Sequence, residues 1–232
     1  RVDYLLANSN FTASRIRKYW RRESEVLYPP VNVNRFEWNK PREDFYLSVC
    51  RLVPNKRVDL LVRAFNKLKL PLIIVGDGVE KSYLKDLAGP TVQILGFQSM
   101  EKIENLMSKC RAFVYAGIED FGIAPVEAMA AGSPVIAFGK GGVLDTVKCF
   151  NSNSAKGATG LLFSAQTLKS LVEAIEYFNE KQLWRELNPE LIRNWANSFS
   201  QDSFKIRFEK TINRAWSEHK NSCDIGTSDL RS

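Results

Sequence analysis

Short apolar runs alternate with helical patterns through most of this chain, and this alternation constrains its fold more than any other feature. The apolar runs cover residues 45–49, 71–76, 92–96, 112–116, 134–138 and 160–163. Helical spacing and helix-start signals predict helices at residues 58–68, 81–87, 100–109, 125–131 and 167–179. Fully apolar strands that alternate with helices are typical of a parallel sheet covered on both faces. We therefore predict an α/β fold, a doubly wound, Rossmann-like parallel sheet, over residues 25–180.

The segments outside this domain are shorter and less regular. Before it we predict a strand at residues 4–7 and a helix at 12–22, with Thr12 as the N-cap. Residues 181–220 form a C-terminal helical segment, whose second helix has an apolar side that we expect to face the core. Its two helices are predicted at residues 189–197 and 202–219. The polar residues 221–232 predict a flexible tail.

A motif at residues 119–127 combines two carboxylates with a glycine turn at the start of an apolar helix. Pro125 is expected at the first helical position, where its missing N–H would have no helical partner anyway. The three N–H groups before it can then bind an anion; they belong to Gly122, Ile123 and Ala124. Glu119 and Glu127 can accept hydrogen bonds from sugar hydroxyls on either side of that anion. An anion flanked by polyols indicates a nucleotide sugar as the ligand.

Two cations, Arg51 and Lys56, follow the first strand of the alternating region. Ligands of such sheets bind beyond the carboxyl ends of the strands, so these cations and the 119–127 motif are predicted at one edge. Arginine grips two oxygens and lysine supplies a point charge, which suits a diphosphate. The alternatives are two solvated loop charges and, for Glu127, a glutamate that the helix dipole stabilises. The apolar helix around Glu127 favours a carboxylate with hydroxyl or N–H partners.

The charge balance and the rare residue types narrow the possible chemistry. Lys and Arg number 33 against 26 Asp and Glu, for a net charge of +7. This fits an ordinary basic protein, phosphate-rich substrates or an anionic membrane surface, whereas no motif supports nucleic-acid binding. The four cysteines lack metal-ligand spacing and His219 is the single histidine, which argues against zinc and against histidine-assisted nucleophiles. The cysteine pattern favours a reducing, cytoplasmic compartment.

Several segments carry a resemblance to a known family. They are residues 7–9, 28–31, 48–56, 74–78, 95–97, 119–132, 134–137 and 159–163. Together they resemble the carboxyl-terminal, donor-binding half of retaining GT-B glycosyltransferases of the GT4 family, the glycosyl transferases group 1, over residues 2–178. The variants at residues 28–31 and 120–125 look most like mannosyltransferases that use GDP-mannose. Cys50 departs from the family, which usually has glycine at this position.

The resemblance implies a role for each matching residue. Arg51 and Lys56 would hold the donor diphosphate and stabilise the departing nucleoside diphosphate, so that neither a metal nor a cofactor is needed. Glu119 would face the donor sugar, and Glu127 would hold the ribose hydroxyls. Gln98 would lie beside the base. The segment at the helix start would contact the distal phosphate or the sugar through Phe121, Gly122, Ile123 and Ala124.

The resemblance also implies what surrounds this domain. The N-terminal acceptor-binding domain would be missing, with residues 1–24 as its remnant, so the chain would bind donor without transferring the sugar. The reaction would move a hexose, with mannose favoured, to a lipid-linked or polysaccharide acceptor at the membrane periphery. Apolar side chains left uncovered would favour a dimer of the chain. The alternative is a nucleotide-binding or scaffolding module of the same fold without catalysis of its own.

Overall fold

The computed structural model describes residues 2–150 and 157–228, with side chains up to residue 221. Its strands are β1 (Leu6–Ala7), β2 (Glu25–Val26), β3 (Tyr46–Val49), β4 (Leu72–Val75), β5 (Val92–Gly96), β6 (Ala112–Tyr115), β7 (Val135–Phe138) and β8 (Gly160–Phe163). The last six form one sheet in the order β5-β4-β3-β6-β7-β8, and every neighbouring pair is parallel. The predicted α/β fold with a parallel sheet is confirmed.

Helices connect these strands and cover the sheet. They are α1 (Asn10–Trp20), α2 (Val58–Leu68), α3 (Lys81–Leu87), α4 (Met100–Lys109), α5 (Ile123–Ala130), α6 (Val143–Thr146), α7 (Leu168–Glu180), α8 (Leu183–Glu186), α9 (Pro189–Ala196) and α10 (Gln201–Ser228). α2 packs against α3 and α7, whereas α5 packs against α4, α6 and α9. Every residue of β6 and β7 is buried. Because successive strand side chains point to opposite faces, both faces of the sheet centre are covered.

The first strand of the sheet is anchored in the core by an aromatic cluster. Tyr46 is fully buried, and its ring lies 5.0 Å from that of Phe65 and 6.3 Å from that of Phe178. Its hydroxyl donates to Asn179 Oδ1 at 2.8 Å, so the polar end is satisfied. Burial raises the pKa of Tyr46 to about 12, which keeps the hydroxyl neutral. This anchoring fixes the strand whose carboxyl end carries the cations described below.

The N-terminal segment forms a separate two-stranded parallel sheet from β1 and β2. Helix α1 lies between them and begins earlier than predicted. Ser9, not Thr12, is its N-cap, since Ser9 has extended backbone and its Oγ accepts from the Thr12 backbone N–H at 3.0 Å. The N-cap prediction at Thr12 is therefore wrong by three positions, because a serine just upstream offers the same cap.

The long helix α10 runs beside β1 and β2. Thr211 Oγ1 donates to Glu25 at 3.2 Å, and Arg214 forms an ion pair with the same carboxylate. Phe208, Ile212 and Trp216 remain exposed, so the expectation that they face the core is wrong. The helix also continues through residues 221–228, which the sequence assigned to a flexible tail; residues 229–232 lie outside the described residues. In the described ranges, no helix has the length and hydropathy needed to cross a membrane.

Candidate functional site

The sheet order creates a crevice between β3 and β6. Within the six-stranded sheet, β3 is laid down near the middle, and β4 and β5 follow toward one side. The chain then returns and places β6 on the other side of β3. At such a switch point the loops that follow the two strands diverge in opposite directions, and ligands bind between them. The loop after β3 carries Arg51 and Lys56, and the loop after β6 carries Glu119. Parallel strands therefore bring these three side chains to one edge, as the sequence predicted.

A cavity of ≈ 440 Å³ occupies this crevice. The predicted site residues that line it are Arg51, Lys56, Glu119, Phe121, Gly122, Ile123 and Ala124. A neighbouring cavity of ≈ 300 Å³ shares Arg51 with the first and contains Gln98 and the exposed ring of Phe97. The amide of Gln98 donates to Leu95 O at 3.1 Å. Glu127 lines neither of these two cavities.

Glu119 is the most heavily bonded side chain of the larger cavity. Its Oε1 accepts from Lys56 Nζ and from the hydroxyl of Tyr115, across 63 and 4 positions of the chain. Burial raises the pKa of Tyr115, and the bond to Glu119 raises it further, so the phenol stays a hydrogen-bond donor. Sequence reasoning missed Tyr115, although its place as the last residue of β6 was a usable signal.

Arg51 differs from Lys56 in having no acidic partner among the residues that the structure describes. It is exposed and lines both cavities. A guanidinium without a carboxylate partner can bind two oxygens of an incoming anion without first breaking an ion pair. Lys56, by contrast, has to share its charge between Glu119 and any such anion. An incoming anion would therefore meet one guanidinium that is available for a bidentate contact, that of Arg51, and one ammonium that is already paired, that of Lys56.

The N-terminus of α5 supplies N–H donors to the same cavity. Gly122 is the N-cap, and its φ of +92° lies in the left-handed region that favours glycine. Within residues 2–150 and 157–228 we find no acceptor for the N–H groups of Gly122, Ile123 and Ala124. Pro125 is the third helical residue, not the first as predicted. The reason is that the turn at Gly122 starts the helix two residues earlier, within the first turn, where proline is still tolerated.

The glycine-rich turn at residues 139–142 holds the Glu119 loop from behind. The Gly142 N–H donates to Glu119 O at 2.8 Å. A Cβ at Gly142 would lie 2.3 Å from Asp120 O, and one at Gly141 would lie 2.5 Å from Glu119 O. Only glycine permits this approach of two backbones. The buried ring of Phe121 fixes the same loop a second time. Its centroid lies 5.9 Å from that of the Tyr28 ring and 5.6 Å from that of the Phe199 ring.

Glu127 lies one turn beyond Ile123 on the same face of α5. Its Oε1 accepts from Arg35 Nη2 at 2.6 Å, and Arg35 Nε lies 3.5 Å from Glu104 Oε1. Burial raises the pKa of Glu127, whereas Arg35 lowers it and Glu104 raises it. Sequence reasoning missed Arg35, because no local pattern links it to a partner 92 positions away.

The N-terminal segment borders the site. The Asn10 backbone N–H donates to Asp145 Oδ2 at 2.7 Å, and Arg15 pairs with Asp120 at 2.8 Å. Asn8 and Pro29 line the larger cavity. These contacts attach α1 to helix α6 and to the loop after β6. The sequence had assigned residues 1–24 to a different unit and did not predict these contacts.

Two further kinds of chemistry bear on this region, that of a reactive thiol and that of a metal site. Burial raises the pKa of Cys50 to about 12, so its thiol is neutral and does not act as an anion beside Arg51. In the described part of the chain, no three His, Cys, Asp or Glu side chains converge as a metal site would require. The site therefore presents cations and N–H donors toward one region and a carboxylate beside them. Such a combination has the donors and acceptors that an anion with neighbouring hydroxyl groups requires.

Comparison with known proteins identifies the class. The family model described as glycosyl transferases group 1 matches residues 31–197, which is most of the chain, and the chain belongs to this family. Its α/β fold is that of GT-B glycosyltransferases. HepE of Anabaena, in a crystal structure with UDP-glucose, aligns with a TM-score of 0.74 at 21% identity over 91% of this chain and 64% of that one. At this identity the likeness shows the fold alone.

Among curated relatives, the chain is similar to Alpha-1,3/1,6-mannosyltransferase ALG2 of two yeasts. The protein of Candida glabrata is 27% identical over 92% of this chain and 59% of its own length. That of Saccharomyces cerevisiae is 24% identical over 94% of this chain and 55% of its own length. The chain thus spans a little more than half the length of these relatives.

Proposed function

We propose that this chain binds the nucleoside diphosphate sugar donor of a retaining glycosyltransferase, and that the donor is GDP-mannose. The acceptor is a lipid-linked or polysaccharide glycan, and transfer takes place at a membrane periphery. The mannose assignment is supported by similarity to proteins named mannosyltransferases. The nucleotide-sugar assignment is supported by the chemistry of the two adjoining cavities.

The observation that carries the proposal is that Arg51, Lys56 and Glu119 share one cavity with the N–H groups at the start of α5, for which the described residues provide no acceptor. A diphosphate presents several anionic oxygens, which the arginine fork, the lysine and the helix N-terminus can each bind. Glu119 adds an acceptor for hydroxyls of the attached sugar. The cavities of ≈ 440 and ≈ 300 Å³ fall in the size range of small-ligand sites.

These groups would assist departure of the nucleoside diphosphate. The bond between the anomeric carbon and the diphosphate oxygen breaks, and its electron pair leaves with the diphosphate. Arg51, Lys56 and the α5 N–H groups stabilise the charge that develops on that oxygen. The acceptor oxygen then bonds to the anomeric carbon on the same face, and its proton passes to the departing phosphate. Glu119, held in place by Lys56 and Tyr115, orients the sugar hydroxyls.

Titration calorimetry with GDP and UDP tests the proposal. We expect GDP to bind more tightly than UDP, with the same affinity in EDTA as in magnesium, because the protein's own cations neutralise the diphosphate. GMP, which lacks the second phosphate, should bind at least tenfold more weakly, since about one charge-assisted contact is lost. The assignment would be refuted if neither GDP nor UDP bound, or if their binding required magnesium. Tighter binding of UDP would overturn the donor assignment alone.

Because Glu119 is paired with Lys56, replacing Glu119 should have opposite effects on the affinity for GDP and on the extra affinity that the sugar provides. Glu119→Gln should tighten GDP binding roughly fivefold, since it removes a negative charge beside the diphosphate and frees Lys56. The same variant should lose the gain in affinity that the mannose of GDP-mannose provides. Asp59→Asn, which removes a carboxylate paired with Arg57 outside both cavities, is the control and should change neither affinity. Weaker GDP binding by Glu119→Gln would contradict this electrostatic account.

A further inference from the structure

Arg35 lies beside the site without touching either cavity. It ends a short 3-10 helix at Val33–Arg35, and its guanidinium is three-quarters buried between two carboxylates. Nη2 donates to Glu127 Oε1 at 2.6 Å. Nε is buried 3.5 Å from Glu104 Oε1 and has no hydrogen-bond partner among the described residues. The arginine is thus oriented mainly by Glu127.

The surroundings of Arg35 hold it at a fixed position relative to α5. Its guanidinium lies 4.6 Å from the centre of the Phe36 ring. Arg193, from α9, donates to Val33 O in the 3-10 helix and to Ala130 O at the end of α5, the latter at 2.7 Å. The two elements that carry Arg35 and Glu127 are therefore tied together. A rigid pair of this kind can orient one carboxylate precisely enough for ligand recognition.

The other oxygen of Glu127 remains available. Oε2 has no hydrogen-bond partner in the part of the chain that the structure describes, and the side chain is 21% exposed. Glu127 shares a helix face with Ile123, which lines the larger cavity. The Glu127 carboxylate is thus carried one helical turn along α5 from a residue of the larger cavity.

We propose that Arg35 is a positioning residue that holds the Glu127 carboxylate so that it accepts hydrogen bonds from vicinal ribose hydroxyls, which makes the site select ribonucleotides over deoxyribonucleotides. The inference rests on the proposed function, since it assigns a task to one part of the same donor site. Without Arg35, Glu127 would be buried beside Glu104 with no cation. Burial and the second carboxylate both raise the pKa of Glu127, and Arg35 is the group that lowers it.

The consequence is a change in selectivity instead of a uniform loss of affinity. A 2′-deoxy nucleotide keeps only the 3′-hydroxyl of the vicinal pair that Glu127 would bind, so its affinity depends less on the orientation of that carboxylate. The diphosphate contacts at Arg51 and Lys56 are the same for both nucleotides. The ratio of the two affinities therefore reports on the contact between Glu127 and the 2′-hydroxyl, and a purely structural role of Arg35 would weaken the binding of both nucleotides by the same factor.

The experiment compares GDP with 2′-deoxy-GDP by calorimetry in the wild type and in Arg35→Met, which keeps the aliphatic stem but removes the charge. We expect a roughly tenfold preference for GDP in the wild type and less than about twofold in Arg35→Met, with the affinity for GDP falling more than that for 2′-deoxy-GDP. Arg35→Lys should retain part of the preference, because lysine restores the charge without the fork. Arg63→Met, which removes an exposed arginine bonded to Tyr83, is the matched control and should keep the full preference.

The outcomes separate this inference from the function on which it rests. Absence of binding of either nucleotide by the wild type would overturn the proposed function itself. Wild-type binding with no preference for ribose would overturn the role of Glu127 and with it that of Arg35. A full preference retained in Arg35→Met would overturn the inference alone. If Arg35→Met does not fold, Arg35→Lys decides, and an undiminished tenfold preference in that variant would likewise overturn the inference.

Discussion

Arg51→Met is expected to weaken GDP binding roughly 30-fold, about 2 kcal/mol, the loss expected for a bidentate charge-assisted contact. The effect should exceed that of other single cation substitutions at the site, because Arg51 is not paired with a carboxylate in the described structure, whereas Lys56 is. A guanidinium that has no ion pair to break contributes the whole of its interaction free energy to ligand binding. Methionine keeps an apolar stem of similar length, so the change removes the charge and the N–H donors of the guanidinium but little of the packing. Titration calorimetry in EDTA measures the affinity.

Arg63→Met serves as the control for Arg51→Met. Arg63 is an exposed arginine of α2 whose guanidinium donates to Tyr83 OH at 3.1 Å, and it lines neither cavity. Its removal lowers the net charge by the same amount, so any long-range effect of charge appears equally in both variants. Equal losses in the two variants would mean that Arg51 acts only through the overall field. An unchanged affinity in Arg51→Met would remove it from the donor site.

Gly142→Ala is expected to lower the free energy of unfolding by about 2 kcal/mol, the usual cost of forcing an extra methyl into packed backbone. The new Cβ would lie 2.3 Å from Asp120 O and 2.4 Å from Phe121 Cα, so the turn has to move away from the Glu119 loop. That movement breaks the bond from the Gly142 N–H to Glu119 O. We therefore expect nucleotide affinity to fall together with stability.

Gly139→Ala is the matched control from the same turn. A Cβ there would have its nearest neighbour, Phe163 O, at 3.4 Å, which is an ordinary contact. We expect its free energy of unfolding to stay within about 0.5 kcal/mol of wild type, because the added methyl displaces nothing. Urea denaturation followed by tryptophan fluorescence measures both variants. A Gly142→Ala protein as stable as Gly139→Ala would show that the two loops do not depend on each other.

Secondary structure was predicted best where its signals are local. The bounds of α2, α3 and α4 agree with the predicted ranges, because apolar spacing, flanking strands and the cap at Ser99 lie within a few residues of each helix. The start of α5 was placed two residues too late, since the sequence does not reveal that Gly122 adopts a left-handed conformation. The exposed side of α10 was predicted to face a core for a similar reason, because an apolar stripe does not specify what covers it.

The grouping of Arg51, Lys56 and Glu119 was also foreseeable from the sequence. Each follows an apolar strand, and parallel strands direct the loops at their carboxyl ends to one edge. The pattern of strands and helices therefore already predicts that these three side chains share one edge of the sheet. It does not imply which two strands are neighbours, and the pairing of β3 with β6 is what brings these loops together.

Pairings between distant residues were decided by the tertiary structure alone. Lys56 meets Glu119 across 63 positions and Arg35 meets Glu127 across 92, and no local pattern encodes either distance. Gly142 is required because a Cβ there would lie 2.3 Å from Asp120 O of a loop that is distant in the sequence, which no count of glycines reveals. Local propensities are set by neighbours along the chain, so the elements and their edge could be inferred from the residues. Contacts depend on how the sheet orders its strands, and that order is chosen by packing of the whole core.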